Sequence, residues 1–233
     1  DTETDNVVYT VFKELDFGST LKGGGIAAGT KLAEAYNKVK QAANRDATYL
    51  SDFAPYLASY DDLAAFAAAP IFDGDRQIGV IAMQYPIDKI TDVLSSNKDW
   101  EKIGLGKSGD MYLVGPDKLM RTNARYLIEN KDAFAEGLGS KLSASTRATM
   151  LKKESTIGLV SIDSDDTRGA LAGPDSYAKF VDYRGTTSYG AWGPLKVQGY
   201  DPRKLRKYAV AIAKDCDVAA RRHVCAAWRA GIA

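Results

Sequence analysis

The residues best suited to bind a small molecule lie close together in the first third of the chain. Between positions 49 and 66 the sequence combines aromatic side chains with carboxylates, and the candidate residues are Tyr49, Asp52, Phe53, Tyr56, Tyr60 and Phe66. Small-ligand pockets are mostly apolar and aromatic, with a few fixed polar groups. A carboxylate binds a ligand amine, and an aromatic face attracts a cation. The stretch therefore predicts either a ligand pocket or an aromatic core cluster beneath a loop.

Two arginines at a spacing of four form a secondary candidate site. Arg121 and Arg125 follow the first strand-like segment of the second half. A guanidinium group donates two parallel hydrogen bonds to a carboxylate, so this pair is suited to an acidic ligand. The same side chains are equally suited to structural ion pairs with Asp110 or Asp117. Both interpretations stay open at the level of the sequence.

The residues that most enzymes and metal sites require are scarce. The chain has one histidine and two cysteines, which are His223, Cys216 and Cys225. These are too few for a Cys/His zinc cluster or a disulfide scaffold. On one helix the two cysteines would be about 13.5 Å apart, beyond the reach of a disulfide. We predict no catalytic residue, no metal site and no cofactor.

Two further motifs match chemical signatures only in part. The glycines of the segment 104–109 have the spacing of a dinucleotide-binding turn, but a strand-like segment follows where that motif needs a helix. The acidic run 163–166 resembles the start of a calcium loop, but Arg168 and Pro174 stand where glycine and glutamate are required. A glycine turn and a solvated acidic turn are the simpler interpretations.

The charge of the chain is unevenly distributed. The 233 residues carry a net charge of +1, without the strong basic excess typical of general nucleic-acid binders. Residues 201–233 contain eight basic and three acidic side chains, a net charge of +5, and the preceding 200 residues carry −4. A basic segment beside an acidic body is typical of a solvated helix face or of proximity to a membrane.

The first half of the chain predicts strands around one helix. The segment 7–16, VVYTVFKELD, is rich in β-branched and aromatic residues and predicts a strand. Thr30 is suited to cap a helix, and Asp73-Gly74-Asp75 is a hairpin signal between two apolar runs. Pro70 lacks a backbone donor, which places its strand at an edge or at a bulge. Pro86 is suited to start a second helix.

The second half repeats this plan. Strands are predicted at 109–114, 157–162, 177–183, 187–194 and 208–213, with helical segments at 131–136 and 143–154. Helices and strands do not alternate strictly, which argues against a doubly wound parallel sheet. We therefore predict an α+β fold of two units with antiparallel sheets, joined between residues 87 and 103.

Several segments resemble a known family of sensor regions. They include SDFAPYLASYDDLAAFAAAPIFDGDRQIGVIAMQYPIDKI, GLGKSGDMYLVGPDKLMRTNARYL and VDYRG. Together with VVYTVFKELDFGSTL they are similar to the extracytoplasmic double Cache regions of bacterial transmembrane receptors, which include chemoreceptors, cyclases and kinases. The resemblance covers about residues 5–195. The amino-acid-binding motif of the family, with its tyrosine, arginine and Trp-Tyr pair, is not evident.

The resemblance implies two PAS-like domains stacked along a long helix. The membrane-distal, ligand-binding domain would comprise residues 1–92, and the membrane-proximal domain residues 93–214. A basic helical tail would follow at 215–233. The family's long helix and first strand have no counterpart ahead of residue 7, so we expect a fragment or a processed chain. The candidate residues Tyr49 to Phe66 fall where the distal pocket is expected.

These observations favour a sensor that binds and transmits. We predict the periplasmic or extracellular part of an inner-membrane receptor, without catalytic activity. Its partners would be a small-molecule ligand, a second copy in a receptor homodimer and the adjacent membrane, and no nucleic acid. One alternative is a structural or dimerisation module without a ligand. The other is a hydrolase that uses a cysteine or carboxylates.

Overall fold

A two-residue turn organises the first sheet. In the computed structural model, strand β3 (Asp62–Asp73) and strand β4 (Arg76–Pro86) form an antiparallel hairpin closed by Gly74 and Asp75. Gly74 has a φ of +57°, a conformation that glycine adopts without strain. The predicted hairpin is confirmed. The structure describes residues 1–42, 44–195 and the backbone of 209–215.

Pro70 lies at a position of β3 where its lack of a backbone N–H is tolerated. It pairs with Val80 on β4, directly before a register shift between Ile71 and Phe72. The other edge of β3 pairs with β1 (Tyr49–Leu50) only as far as Ala68. The predicted bulge is therefore confirmed, and the neighbouring strand on the second edge has ended before the proline.

One helix covers one face of this sheet. The helix α1 (Lys31–Lys40) is capped by Thr30, whose hydroxyl accepts a hydrogen bond from the backbone N–H of Ala33 at 3.3 Å. Strand β2 (Ala54–Tyr56) shares an edge of β3 with β1. The apolar core lies between α1 and the sheet, and its buried side chains include Leu32, Tyr36, Val39, Tyr56, Phe66 and Ala68.

The prediction of a strand at 7–16 is wrong. The backbone of this segment closes on itself: the N–H of Val7 donates to Ser19, and the N–H of Gly18 donates to Val7. Only Asn6 and Thr20 form a bridge, and Lys13 has a φ of +55°. A strand needs a neighbour for its backbone groups, and no strand lies beside this segment in the described residues. We call residues 5–21 the N-terminal loop.

The second unit contains a four-stranded antiparallel sheet. Its strands are β5 (Asp110–Val114), β6 (Ser176–Val181), β7 (Thr187–Pro194) and β8 (Ala209–Asp215), in the spatial order β5-β8-β7-β6. A strand, not a helix, follows Gly109, as the sequence of this segment predicts. The sequence 157–162 forms turns with one bridge at Ser161 and is not the strand we predicted. The predicted tail beyond residue 215 lies outside the described residues.

The second unit also contains short helices. They are α2 (Asp88–Leu94), α3 (Arg125–Glu129), α4 (Lys131–Leu138), α5 (Ala144–Lys153) and α6 (Asp165–Ala172). Helix α2 begins two residues after Pro86, which instead ends β4 opposite Ala64. The acidic run 163–166 leads into α6 and is not simply a solvated turn. None of the helices in the described part of the chain has the length and apolarity of a membrane span.

The α+β fold with antiparallel sheets is confirmed. The chain divides into two compact units, Asp1–Ile87 and the residues from Asp88 onward, which we call the N-terminal and C-terminal units. Each unit has its own sheet and its own apolar core. The assignment of residues 1–92 and 93–214 as membrane-distal and membrane-proximal domains stays a prediction.

Candidate functional site

Two of the predicted aromatic residues meet in the core of the N-terminal unit. The rings of Tyr56 and Phe66 lie edge to face, with centroids 4.9 Å apart. Each side chain is 3% exposed. Phe66 lies on β3, and Tyr56 ends β2 opposite Asp62, so the two rings meet on the core side of the sheet without being a cross-strand pair. The two rings form an apolar wall beneath the N-terminal loop.

Tyr56 anchors a carboxylate of the N-terminal loop. Its hydroxyl donates a hydrogen bond of 2.8 Å to Oδ2 of Asp16. Burial, reinforced by this carboxylate, raises the pKa of Tyr56 well above its usual value, so the phenol remains a proton donor at neutral pH. Asp16 thus has one oxygen occupied and one oxygen that the tyrosine does not reach.

The second oxygen of Asp16 is buried and without a partner. A turn from Asp16 to Ser19 is closed by a backbone hydrogen bond of 3.0 Å. The side-chain atoms Oδ1 of Asp16 and Oγ of Ser19 are both buried and accept or donate no hydrogen bond in the described part of the chain. Buried polar atoms are normally satisfied. Unsatisfied acceptors beside an aromatic wall are what a ligand with a donor group requires.

The neighbouring carboxylate, Asp5, is fully compensated. It accepts hydrogen bonds from Tyr36, from Lys22 and, at 2.6 Å, from Lys40. Burial raises the pKa of Asp5, but the bonds from both lysines and the tyrosine outweigh burial and hold this pKa well below its usual value. Asp5 therefore fixes the base of the N-terminal loop to α1 and is not a free acceptor.

The other predicted aromatic and acidic residues are dispersed. Tyr49 donates to Glu34 of α1, and Phe53 is buried. Oδ1 of Asp52 accepts a hydrogen bond of 2.6 Å from the backbone N–H of Phe53. Tyr60 is 90% exposed and has a φ of +55°, because it ends a short 3-10 helix. That these residues bind a ligand stays a prediction.

Asp16 and Ser19 were not among the site residues predicted from the sequence. The run of β-branched and aromatic residues before them predicted a strand through Asp16. A turn at Asp16 was therefore not expected. The tetrapeptide Asp16-Phe17-Gly18-Ser19 consists largely of turn-forming residues, and Gly18 has a φ of +77°. That composition was the available signal.

The two candidate arginines contact acidic and backbone groups of their own chain, and that they bind a ligand stays a prediction. Arg121 is buried and binds Asp117 at 2.8 Å, the partner that the spacing allowed. Arg125 donates to the backbone carbonyls of Gly106 and Gly109 at 2.7 and 2.8 Å and pairs with Glu129. The side chain of Arg125 therefore does not pair with Asp110. Its backbone N–H donates a hydrogen bond to the Asp110 carboxylate instead.

The C-terminal unit contains a second set of buried carboxylates and phenols. The hydroxyl of Tyr112 donates a hydrogen bond of 2.6 Å to Asp166 at the start of α6, and the hydroxyl of Tyr183 donates one of 2.7 Å to Asp110. The two tyrosine rings lie edge to face at 5.3 Å. The alternation of strand β5 places Asp110 and Tyr112 on the same face. That alternation was readable from the sequence, but the tyrosine partners were not.

Burial dominates the ionisation of both carboxylates. It raises the pKa of Asp110 to about 6, although the bonds from Tyr183 and from the backbone of Arg125 oppose it. It also raises the pKa of Asp166 above the usual range, against the nearby Ser164 and Tyr112 hydroxyls. These acids differ from Asp5, which has two lysines beside it.

Comparison with known proteins gives structural neighbours only. No protein-family model matches the chain. No curated protein matches its sequence. Similar solved structures include the ligand-binding domain of the Pseudomonas fluorescens chemoreceptor CtaA in complex with L-isoleucine, at 11% identity and a TM-score of 0.47. That match covers 88% of this chain and 64% of the CtaA chain.

Two other neighbours are also chemoreceptor domains. The periplasmic sensory domain of Campylobacter jejuni Tlp1 is 18% identical with a TM-score of 0.45, covering 85% of this chain and 57% of that one. The ligand-binding domain of Pseudomonas aeruginosa PctB, in complex with L-Arg, is 16% identical with a TM-score of 0.45, covering 86% and 65%. The chain spans less than two thirds of the length of these domains.

Proposed function

We propose that this chain is a ligand-sensing region of a bacterial transmembrane receptor and lies on the extracytoplasmic side of the membrane. In this proposal the N-terminal unit is a membrane-distal Cache domain that binds a small molecule, and the C-terminal unit is its membrane-proximal counterpart. The protein binds its ligand without converting it. The resemblance of the segments around residues 5–195 to double Cache regions supports this assignment.

The observation that carries the proposal is the unsatisfied Asp16. Its Oδ1 atom is buried without a hydrogen-bond partner, and the hydroxyl of Ser19 in the same turn is in the same state. Tyr56 holds the other carboxylate oxygen, so the group is oriented before any ligand arrives. A ligand amine or other strong donor would satisfy Oδ1 while its apolar part contacts Phe66.

The mechanism is a shift between conformations of the N-terminal loop. The loop is joined to the core through Asp5 and Asp16, while its tip exposes Val8, Tyr9, Val11 and Phe12. A ligand that binds Asp16 stabilises one position of the loop, and the preferred conformation becomes more populated. The same change would be transmitted along the receptor to the membrane and across a receptor homodimer.

A thermal-shift screen of proteinogenic amino acids, polyamines and short carboxylic acids tests the proposal. We expect hits whose stabilisation is lost in Asp16→Asn and reduced in Tyr56→Phe. Glu14→Gln is the matched control, because this exposed acid lies two positions away on the same loop. An unchanged response to every hit in Asp16→Asn, Tyr56→Ala and Asp52→Ala would show that the pocket is wrongly placed.

A specific observation also supports a dimerisation module. Val80 and Ala82 of β4 pack on the core, whereas the alternate residues Ile81 and Met83 are 57% and 59% exposed. Exposed apolar side chains along one strand are typical of a surface that another protein covers. Sedimentation of the wild-type chain and of Ile81→Lys distinguishes the two cases. A dimer that depends on Ile81, together with no ligand hit, favours the module.

A further inference from the structure

Strand β4 lies at the edge of the first sheet. It pairs with β3 on one side, and no strand of the described part of the chain pairs with its other side. The strand at the edge of a sheet presents a row of unpaired backbone N–H and C=O groups, which can pair with a further strand. The outer edge of β4 is therefore a candidate interaction surface.

The pairing of β3 shows which residues of β4 direct their backbone groups outward. Both the N–H and the carbonyl of Phe66 bond to Ser51, on the side of β3 away from β4. Successive residues of a strand direct these groups to opposite sides, so the residues next to Phe66 bond to β4. Their partners on β4 include Met83 and Tyr85. The alternate residues of β4, which are Val80, Ala82 and Gln84, therefore direct their N–H and C=O groups outward.

These outward groups form a short free edge with Ala82 at its centre. No backbone hydrogen bond to them occurs among the described residues. At the start of β4 the N–H of Thr2 donates a hydrogen bond of 3.2 Å to the carbonyl of Ile78. At the end of β4, Pro86 has no N–H to offer. We call the outward backbone groups between these limits, those of Val80, Ala82 and Gln84, the free edge.

The sequence of β4 does not protect the free edge. Edge strands of natural proteins usually carry charged side chains or other features that discourage pairing. Residues 77–86 contain no charged side chain. The side chains of Ile81, Met83 and Tyr85 are 57%, 59% and 45% exposed. An uncharged strand with exposed apolar side chains favours coverage by another strand.

The free edge is complementary to a second copy of itself. In an antiparallel pair related by a two-fold axis at Ala82, this residue lies opposite Ala82 of the second copy, and Val80 lies opposite Gln84. Each of these residues then both donates a backbone hydrogen bond to its opposite residue and accepts one from it. The same contact is made twice by the symmetry. All the outward groups of the free edge would thus be satisfied.

The side chains on the exposed face fit the same arrangement. Ile81 would lie opposite Met83 of the second copy, which makes an apolar cross-strand pair. Tyr85 would lie opposite Gly79, which has no side chain to obstruct the ring.

The charges that flank β4 are also complementary in this arrangement. The exposed Arg76 begins the strand, and the exposed Asp88 follows its last residue by two positions in the sequence. An antiparallel pair places the start of one strand beside the end of the other. It therefore brings a basic and an acidic residue together at each end, whereas a parallel pair would bring like charges together.

We propose that two copies of this chain associate by antiparallel pairing of their β4 strands around Ala82. The pairing joins the two first sheets into one continuous sheet. It gives the receptor homodimer of the proposed function a defined contact in the N-terminal unit. It does not involve Asp16 or Tyr56, so a failed ligand screen and a failed dimer are separate results.

Disulfide cross-linking tests the pairing and its register. All chains carry Cys216→Ser and Cys225→Ser, so that only introduced thiols react. The Cα atoms of Ile81 and of Met83 in the second copy would be about 4.5 Å apart, within the range of a disulfide. In a mixture of Ile81→Cys and Met83→Cys chains, equilibrated in a glutathione buffer, we expect a disulfide-linked dimer on a non-reducing gel.

Each cysteine variant alone is the control for the mixture. Equivalent residues of the two copies would be diagonal neighbours, about 7–8 Å apart, which is too far for an unstrained disulfide. The Ile81→Cys chain alone and the Met83→Cys chain alone should therefore remain monomeric on the gel. A strong cross-link in Ile81→Cys alone would indicate a parallel pair, and no cross-link in the mixture would mean that the edges do not meet. Either result would overturn the proposal.

A proline at the centre of the free edge tests the backbone hydrogen bonds. Ala82→Pro removes the N–H that would donate to the second copy, and the bonds from β4 to β3 remain because neighbouring residues make them. Two hydrogen bonds are lost by symmetry, so dimerisation measured by sedimentation should weaken about tenfold or more. Ala82→Ser keeps the N–H and should dimerise as the wild type does. Equal dimerisation of the two variants would overturn the proposal.

Discussion

Asp5 in the N-terminal unit and Asp110 in the C-terminal unit are buried carboxylates in opposite electrostatic settings. In the N-terminal unit, Asp5 lies between Lys22 and Lys40, and its pKa is held well below the usual value. In the C-terminal unit, Asp110 has a tyrosine and a backbone N–H as partners, and burial raises its pKa to about 6. A tyrosine orients each of these two carboxylates, but only Asp5 also pairs with basic side chains.

This difference shows that a hydrogen bond from a tyrosine to a buried carboxylate has different consequences with and without basic side chains beside it. A buried acid with two lysines is a structural tie, because its charge is compensated on the molecule. A buried acid bound only by a phenol keeps its demand for a counter-charge or a donor. The half-buried Asp16 is of this second kind: Tyr56 binds its Oδ2 atom, and its Oδ1 atom has no hydrogen-bond partner among the described residues. The candidate site in the N-terminal unit follows from that contrast.

We expect the largest loss of stability from removing Asp182, a buried carboxylate of the C-terminal unit whose charge is compensated by Arg184. Its carboxylate, 0% exposed, binds the guanidinium of Arg184 at 2.6 and 2.9 Å and the hydroxyl of Ser188 at 3.1 Å. Asp182→Ala removes the buried carboxylate that both donors share. We expect a loss of about 3–5 kcal/mol in the free energy of unfolding, measured by urea denaturation.

Glu129→Ala is the matched control for Asp182→Ala. Glu129 also pairs with a buried arginine, Arg125, but its own side chain is 41% exposed. The carbonyls of Gly106 and Gly109 continue to bind that arginine. The cost should therefore stay below about 1 kcal/mol. Equal losses for the two variants would contradict the importance of burial for the Asp182 pair.

The pH dependence of stability should have opposite signs for Asp110 and Asp5. The folded protein holds the proton of Asp110 more tightly than the unfolded chain, with a pKa of about 6 against 3.8. Stability from this group is therefore greatest in acid and falls by about 3 kcal/mol as the pH rises from about 4 to above 6. Denaturation of the wild type and of Asp110→Asn across this pH range measures the difference between their free energies of unfolding. Both proteins contain His223, so any contribution from this residue cancels in the difference.

Asp5 contributes in the other direction. Its pKa is lowered in the folded protein, so its stabilisation is present above 3.8 and is lost as the pH falls below this value. Asp5→Asn should remove that acid sensitivity, and Asp110→Asn should remove the loss between about pH 4 and 6. If Asp110→Asn leaves the pH profile unchanged, the buried acid is not the uncompensated group described above.

The smallest effects should be alike in the two units. Thr30 caps α1 and Ser143 caps α5, each through a bond from the third residue of its helix to the hydroxyl, at 3.3 and 3.1 Å. Thr30→Ala and Ser143→Ala should each cost about 1 kcal/mol. A large inequality between these variants, measured by thermal unfolding, would mean that the units differ in their helices as well as in their buried acids.

Much of the fold was predictable because local chemistry determined it. The Asp73-Gly74-Asp75 turn, the Thr30 cap and the bulge at Pro70 each depend on one or a few neighbouring residues. The segment 7–16 was mispredicted because a strand depends on a partner elsewhere. β-branched composition alone does not supply that partner.

The candidate site and the buried acids were less predictable for the same reason. Tyr56 and Phe66 stood out as aromatics, but Asp16, the carboxylate partner of Tyr56, lies forty residues from it in the sequence. Asp166 lay in a run of acids that resembled a calcium loop, and only the folded chain separates the inward acid from the solvated ones. Tyr60 matched the aromatic pattern yet points into solvent. Long-range pairing, not residue type, decides which polar groups remain unsatisfied.

The most direct test of the central claim is a crystal structure of the chain with its strongest thermal-shift ligand. The proposed function predicts ligand density in the N-terminal unit, with a donor atom at hydrogen-bond distance from Oδ1 of Asp16 and an apolar part against Phe66. Density bound elsewhere, with Oδ1 of Asp16 still unpartnered, would contradict it.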